Sequence, residues 1–294
     1  MMRTIHVVAI AAFCAACSSC STSAADAGDD ASAEDAGLSS GESTTFNVGG
    51  GSMAINEEGT KLADSLFDFD PTIDPTTTAA QNAAAIGANI QMNLGSSCGT
   101  VSVMGADVTV SFGAPPGCTL TNGNVVSGAV SLVVSQSGGT TTIALALTSV
   151  VCNGEPLSGT ASFATTNGTT FAVTTNLTSS DKTDSAQLTV TGRAGSYTVS
   201  GTSTLKENGL SSALTFAGLT VALGQCYATA GALTVSSGPV SETLTFDANT
   251  PTTGQVTAQI GKRTTTLTLP PYGSCPTART PPDAGRALGR EGGP

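Results

Sequence analysis

Apolar and polar residues alternate along most of the chain beyond residue 100. Ile143, Leu145 and Leu147 are separated by small or hydroxylated residues, and the same period of two recurs in later segments. A strand places successive side chains on opposite faces, so this pattern predicts strands with one apolar face and one Ser/Thr face. Such strands are typical of antiparallel sheets that bury only one side.

Short turn sequences separate these segments at a regular interval. The predicted turns are Gly138-Gly139, Asn153-Gly154, Asn167-Gly168, Gly192 to Gly195, Asn208-Gly209, Gly238-Pro239, Pro251 to Gly254 and Gly261. Asn-Gly adopts the positive φ angles of tight hairpin turns, and the intervals leave strands of about 9 to 11 residues. The sequence therefore predicts an all-β fold, a long-stranded antiparallel up-and-down meander that forms a curled sheet, a half-barrel or a sandwich. We expect a short helix only near Thr76 to Ile86, which is rich in Ala.

The first residues have the layout of a secretory signal. Arg3 precedes an apolar run over residues 5–16, which is too short to span a bilayer as a helix. Small residues then lead into Cys17, which resembles the lipobox of bacterial lipoproteins, although Cys14 stands where that family usually has Leu. The resemblance implies a signal peptide over residues 1–16, lipidation of Cys17 and a location in the bacterial cell envelope, periplasmic or surface-exposed.

Composition divides the rest of the chain. Residues 17–44 are mainly Ser, Ala, Asp and Gly, which predicts a lipid-anchored disordered linker. Lipidation of Cys20 and ordinary cleavage near Ala25 remain alternatives for the processed N-terminus. We expect a single β-rich domain over residues 45–275 and a disordered tail over residues 276–294.

Charge and residue usage exclude several functions. The formal net charge is −11, and 12 of the 21 acidic residues lie between Asp26 and Asp74. No basic stripe is present, so we expect no nucleic-acid partner. The only His, His6, lies in the predicted signal peptide. A mature chain without His excludes Ser-His-Asp catalysis, Cys-His catalysis and His-ligated zinc, and we expect no cofactor.

Five cysteines follow the linker. Counting alternate turns places four of them at the end of the sheet that holds Gly138, namely Cys98, Cys118, Cys226 and Cys275. The same count places Cys152 at the opposite end. Because a secreted protein meets an oxidising compartment, we predict the disulfides Cys98–Cys118 and Cys226–Cys275. Cys152 is predicted to remain a thiol, since no His is available to activate it as a nucleophile.

One acidic segment is a candidate metal site. Asp68, Asp70 and Asp74 carry the hard oxygen ligands that Ca²⁺ prefers. The segment lacks the ligand pattern of a calcium loop, and apolar residues stand between the acids. A solvated acidic edge is therefore the favoured interpretation, and we predict no bound metal.

Several short patterns match catalytic groups. Residues 37–41 match G-x-S-x-G, but this motif needs a His base and a strand-turn-helix context. Residues 179–182 match S-x-x-K, the Ser-Lys pair of penicillin-binding enzymes, although they fall in a polar loop between strands. Asp107 with Glu155 or Glu242 would supply the two carboxylates of a glycoside hydrolase. None of these patterns is specific, so we expect no catalytic residues.

The combined features favour a non-enzymatic β domain that is tethered to the membrane by its lipid and has a structural or adhesive role. Its Thr-rich face offers hydroxyl groups to a glycan or to ordered water, but the favoured interpretation is that Thr is a good strand former suited to a solvent face. An envelope protein is a further candidate partner. The alternative is a carrier of lipid or another apolar ligand, in a curled sheet lined by Phe163, Phe171, Leu188 and Phe216. The third hypothesis is an enzyme that uses carboxylates or the Ser-Lys pair.

Overall fold

The computed structural model describes residues 73–94, 98–120, 125–180, 182–193, 196–207, 210–222, 225 and 227–269. In these residues, thirteen strands form one antiparallel sheet in which every strand pairs with its neighbours in sequence. The strands are β1 Thr100–Met104, β2 Asp107–Thr119, β3 Val125–Ser137, β4 Thr140–Cys152, β5 Glu155–Thr165, β6 Thr170–Ser179, β7 Lys182–Arg193, β8 Ser196–Glu207, β9 Leu210–Ala222, β10 Ala230–Ser237, β11 Val240–Phe246, β12 Gln255–Ile260 and β13 Arg263–Thr268. The helices are α1 Ala79–Leu94, before β1, and α2 Thr250–Thr253, between β11 and β12. The predicted up-and-down meander is confirmed.

The sheet is not closed, and β1 and β13 form its two edges. In an up-and-down meander of thirteen strands, the first and last strands run in the same direction. Closure would therefore require one parallel pair among antiparallel ones. Both edge strands are short, with five residues in β1 and six in β13. Short edges limit the number of backbone groups open to pairing with another chain.

One face of the sheet, called the inner face below, holds the core. Val108, Leu132 and Leu145 are direct register partners on β2, β3 and β4 and are at most 4% exposed. The same alternation of buried and exposed side chains continues through β12. Ser and Thr occupy many of the intervening positions, which form the outer face. The predicted apolar and hydroxylated faces are thus present in the structure over β2–β12.

α1 packs on the inner face of β1–β3. The helix begins with a capping box, in which the Gln81 amide donates to the Thr78 hydroxyl (3.2 Å) and the Thr78 amide donates to Gln81 Oε1 (2.9 Å). Gly87 lies against the side chains of Val101, Val103 and Val108, where a larger residue would collide with Val103. The helix predicted near Thr76 to Ile86 therefore exists, but it continues to Leu94 because its apolar face covers the first strands.

The buried apolar side chains form two clusters along the sheet. The first joins α1 to β2–β8, and the second joins β8–β12 to Leu269. Phe216 and Val221 on β9 pack against both clusters. The two clusters therefore lie along one sheet and meet at β9.

Candidate functional site

Hydroxyl and amide side chains form a continuous line across the outer face of β5–β13. This line, called the hydroxyl row below, consists of Ser162, Thr174, Gln187, Thr202, Thr215, Thr234, Thr243, Gln259 and Thr264. Each residue is the direct register partner of the next, and all are exposed or half-buried. Because neighbouring strands lie about 4.8 Å apart, the row is about 38 Å long.

A second row runs beside the first, two residues away along each strand. Its members on β5–β11 are Thr160, Asn176, Ser185, Thr204, Ala213, Ser236 and Ser241. Cross-strand hydroxyls hydrogen-bond within both rows, as between Thr234 and Thr243 (2.9 Å) and between Ser236 and Ser241 (3.0 Å). The rows are about 6.7 Å apart along the strands. Apart from Ala213, the two rows form a two-dimensional array of side chains that both donate and accept hydrogen bonds.

None of the residues in the two rows is charged. On β5–β13, the register places the charged residues at inner-face positions apart from Arg193 and Lys206. Arg193 is the last residue of β7, and Lys206 is next to the end of β8. The central part of the outer face is therefore neutral and rich in hydroxyl groups, which favours a neutral polar partner over a charged one.

The sequence indicated the hydroxylated face but not the rows. Thr and Ser at alternate positions show that each strand has a polar face. Alignment of those residues across nine strands depends on the register of every pair, which turns and bulges determine. The rows are therefore a property of the folded sheet.

The inner face carries a small buried polar network. Asp184 on β7 accepts hydrogen bonds from the hydroxyls of Thr175 on β6 (3.0 Å) and Ser203 on β8. The Thr175 hydroxyl also accepts a hydrogen bond from the Ala186 amide (3.1 Å). Burial raises the pKa of the Asp184 carboxyl, and the hydrogen bonds from Ser203 and Thr175 oppose that shift. This network holds β6, β7 and β8 in one register.

Two other buried polar groups lie on the inner face without such support. Within the described part of the chain, neither the Ser179 hydroxyl nor either carboxylate oxygen of Glu242 has a hydrogen-bond partner. Burial raises the pKa of Glu242 to about 7. From the sequence, Glu242 is a candidate only as half of a carboxylate pair. The strand pattern nevertheless indicates that Glu242 is buried, because it alternates with Leu244 and Phe246 on the apolar side of β11.

The S-x-x-K segment spans the β6–β7 hairpin. Ser179 and Lys182 are direct register partners across the turn, and Ser179 is buried. The Ser180 hydroxyl instead donates to Glu155 Oε2 at the start of β5 (2.6 Å). This segment is a hairpin, whereas penicillin-binding enzymes place the Ser-Lys pair at the start of a helix.

The predicted disulfide Cys98–Cys118 is confirmed, with an S–S distance of 2.05 Å. Cys152 is a buried thiol outside the disulfide. The predicted separation of Cys152 from these two cysteines is wrong. Cys118 pairs with Val126, and Val126 pairs with Cys152, so the three residues form one cross-strand row.

The misplacement has a physical cause in β3. This strand runs unbroken from Val125 to Ser137, so it carries the chain across the whole sheet to Gly138. The register between β3 and β4 shifts between Ser127 and Ala129, where the extra residue belongs to β4, and β3 itself continues without interruption. Cys118 therefore lies at the end of the sheet opposite Gly138.

Several predicted site residues fall outside the described residues: Cys17, Cys20, Asp68, Asp70, Cys226 and Cys275. Asp74 is described, and it accepts hydrogen bonds from the Thr76 hydroxyl (2.6 Å) and the Thr76 amide (2.8 Å). These hydrogen bonds lower the pKa of Asp74. Among the described residues, no group of three or more His, Cys, Asp or Glu side chains is arranged to hold a metal ion.

The other predicted groups are scattered across the sheet. Asp107 is exposed at the first residue of β2, and Glu242 is buried on β11. The residues predicted to line a ligand cavity, Phe163, Phe171, Leu188 and Phe216, pack in or against the first core cluster. An apolar ligand at that place would have to displace these side chains.

Within the described ranges, no helix is both long enough and apolar enough to cross a membrane. Comparisons of the chain with protein-family models, with curated proteins and with solved structures found no match.

Proposed function

We propose that this protein is a non-enzymatic lipoprotein of the bacterial cell envelope, anchored through Cys17, whose β domain adheres to neutral glycans through the hydroxyl row. The observation that carries the proposal is the alignment of hydroxyl and amide side chains across nine neighbouring strands. The anchor rests on the resemblance of the N-terminal segment to a lipobox.

The chemistry of the row suits a polysaccharide. Each Ser or Thr hydroxyl donates one hydrogen bond and accepts others, as each sugar hydroxyl does. A single such contact in water contributes little, since it replaces a hydrogen bond to solvent. A polymer that lies along the row makes many contacts at once, and linked contacts raise the overall affinity. The neutral surface supplies no attraction for an anionic polymer.

Retention on insoluble polysaccharide tests this proposal. The mature domain is incubated with cellulose and with chitin, two neutral polysaccharides, and the bound fraction is measured at low and high salt. We expect retention that salt changes little, because the row is uncharged. Thr215→Glu places a charge in the middle of the row and should weaken binding at least tenfold. Thr148→Glu, at an exposed outer position of β4 outside the row, is the matched control and should bind like the wild type.

Two results would contradict the proposal. One is a folded wild-type domain, with a β-sheet circular dichroism spectrum, that neither polysaccharide retains. The other is equal loss of binding in Thr215→Glu and Thr148→Glu, which would assign the binding to a surface other than the hydroxyl row.

A further inference from the structure

Glu242 is a buried carboxyl group in an apolar part of the inner face. It is 1% exposed, and its direct register partners are Val235 on β10 and Ile260 on β12. Leu244, two residues further along β11, is also buried. Neither oxygen of Glu242 has a hydrogen-bond partner in the described chain. An ionised carboxylate in such a place is strongly destabilising, so the packed arrangement favours the protonated acid.

Burial alone accounts for the raised pKa of Glu242. Besides Glu242, the charged and titratable residues described on β8–β13 and their loops are Tyr197, Lys206, Glu207, Tyr227, Asp247, Lys262 and Arg263. Tyr197, the second residue of β8, is buried in the first core cluster. Lys206 is at an outer position, Lys262 lies in a turn, and Asp247 accepts hydrogen bonds from the amides of its own loop. Glu207 ends β8, and Tyr227 packs beside Gly254. Arg263 on β13 is the register partner of Ile260 on β12, so it lies two strands away from Glu242.

Apart from the edge strand β1, the strands around Glu242 are also the shortest of the sheet. β10–β13 have eight, seven, six and six residues, whereas β2–β9 have ten to thirteen. They belong to the second core cluster, and β13 is an open edge. Short strands at an edge open more readily than long central ones.

We propose that Glu242 is a proton-operated latch for β10–β13: the protonated side chain stays packed against Val235 and Ile260, and ionisation drives it to water and opens these strands. Burial raises the pKa of Glu242 to about 7 from an ordinary value of 4.5. Between these two values the packed state binds more protons than the open state, so packing weakens as pH rises. From pH 6 to pH 8 the opening equilibrium should increase about tenfold. Opening would expose the apolar inner face around Leu233 and Leu244.

Amide hydrogen exchange tests the latch in the intact chain. Exchange is followed by mass spectrometry at pH 6, 7 and 8 and corrected for the intrinsic rate at each pH. We expect protection of β10–β13 to fall about tenfold over this range, while β4–β6 in the same molecule change little. Glu242→Gln is neutral and of the same size, so its β10–β13 protection should not depend on pH. Asp107→Asn, at an exposed position, is the control and should behave like the wild type.

The latch would be overturned by an unchanged pH dependence in Glu242→Gln, or by a loss of protection spread evenly over all strands. A second measurement needs no variant. The carboxyl carbon of Glu242 in the wild type, followed by ¹³C NMR, should titrate near pH 7. A midpoint near 4.5 would show that the group is solvated in the folded state and would also overturn the proposal.

Discussion

The replacement of Gly201 by Ala tests how much stability depends on the close approach of the β7 and β8 backbones. Gly201 on β8 has a φ of +130° and lies at a register shift against β9. A Cβ at this position would lie 2.2 Å from the Gln187 carbonyl oxygen and 2.8 Å from Leu188 Cα on β7. These neighbours are backbone atoms of a paired strand, so they cannot move without disturbing the β7–β8 ladder.

The expected cost of Gly201→Ala has two parts. An L-residue at positive φ costs about 1–2 kcal/mol, and a tightly packed backbone forced to shift costs about 1–3 kcal/mol more. Ala also lowers the conformational entropy of the unfolded chain, which offsets about 0.4–1 kcal/mol of this cost. We therefore expect a loss of about 2–4 kcal/mol in the free energy of unfolding, measured by urea denaturation.

A second glycine, Gly138, separates the cost of positive φ from the cost of the close backbone contact. Gly138 in the β3–β4 turn also has positive φ, +58°, but no atom lies within 4 Å of an added Cβ. Gly138→Ala should therefore cost only about 1 kcal/mol, which is the backbone contribution alone. Equal losses in the two variants would refute the argument, because the cost would then come from φ and not from the approach of β7.

Three further predictions concern the disulfide, the polar network and the anchor. The double variant Cys98→Ala/Cys118→Ala should lose about 3 kcal/mol, since the disulfide closes a segment with a sequence separation of 20; an unchanged urea midpoint would contradict this. Asp184→Asn replaces an acceptor oxygen with a donor group and should cost about 2 kcal/mol, read from thermal unfolding; an unaltered Tm would mean that the network does not hold the register. Cys17→Ala should abolish incorporation of a fatty-acid analogue, and label that survives this change would place the lipid elsewhere.

Local pattern determined the strands and the faces that they bury. The period of two around Ile143 and Leu188 reflects the pleat of a single strand, and Asn-Gly at 153 and 167 reflects the φ angles of a single turn. Both signals arise within about ten residues, so they could be interpreted before any contact was known. The α1 start was also local, because the Thr78–Gln81 capping box lies within one helical turn. Its end at Leu94 depended on packing against β1–β3.

The tertiary structure decided everything that depends on which residues stand opposite each other. β3 crosses the whole sheet as one strand and places Cys118 beside Val126 and Cys152, whereas a count of turns separated these cysteines. The hydroxyl row exists because the pairing register between each two neighbouring strands from β5 to β13 places one hydroxyl or amide residue opposite the next. In the sequence Glu242 alternates with Leu244 and Phe246, but it becomes a buried, unsupported carboxyl only when β10 and β12 pair on either side of it. Register is set by distant bulges and turn lengths, and a slip of one residue exchanges the two faces, which is why the strand pattern alone could not supply the site.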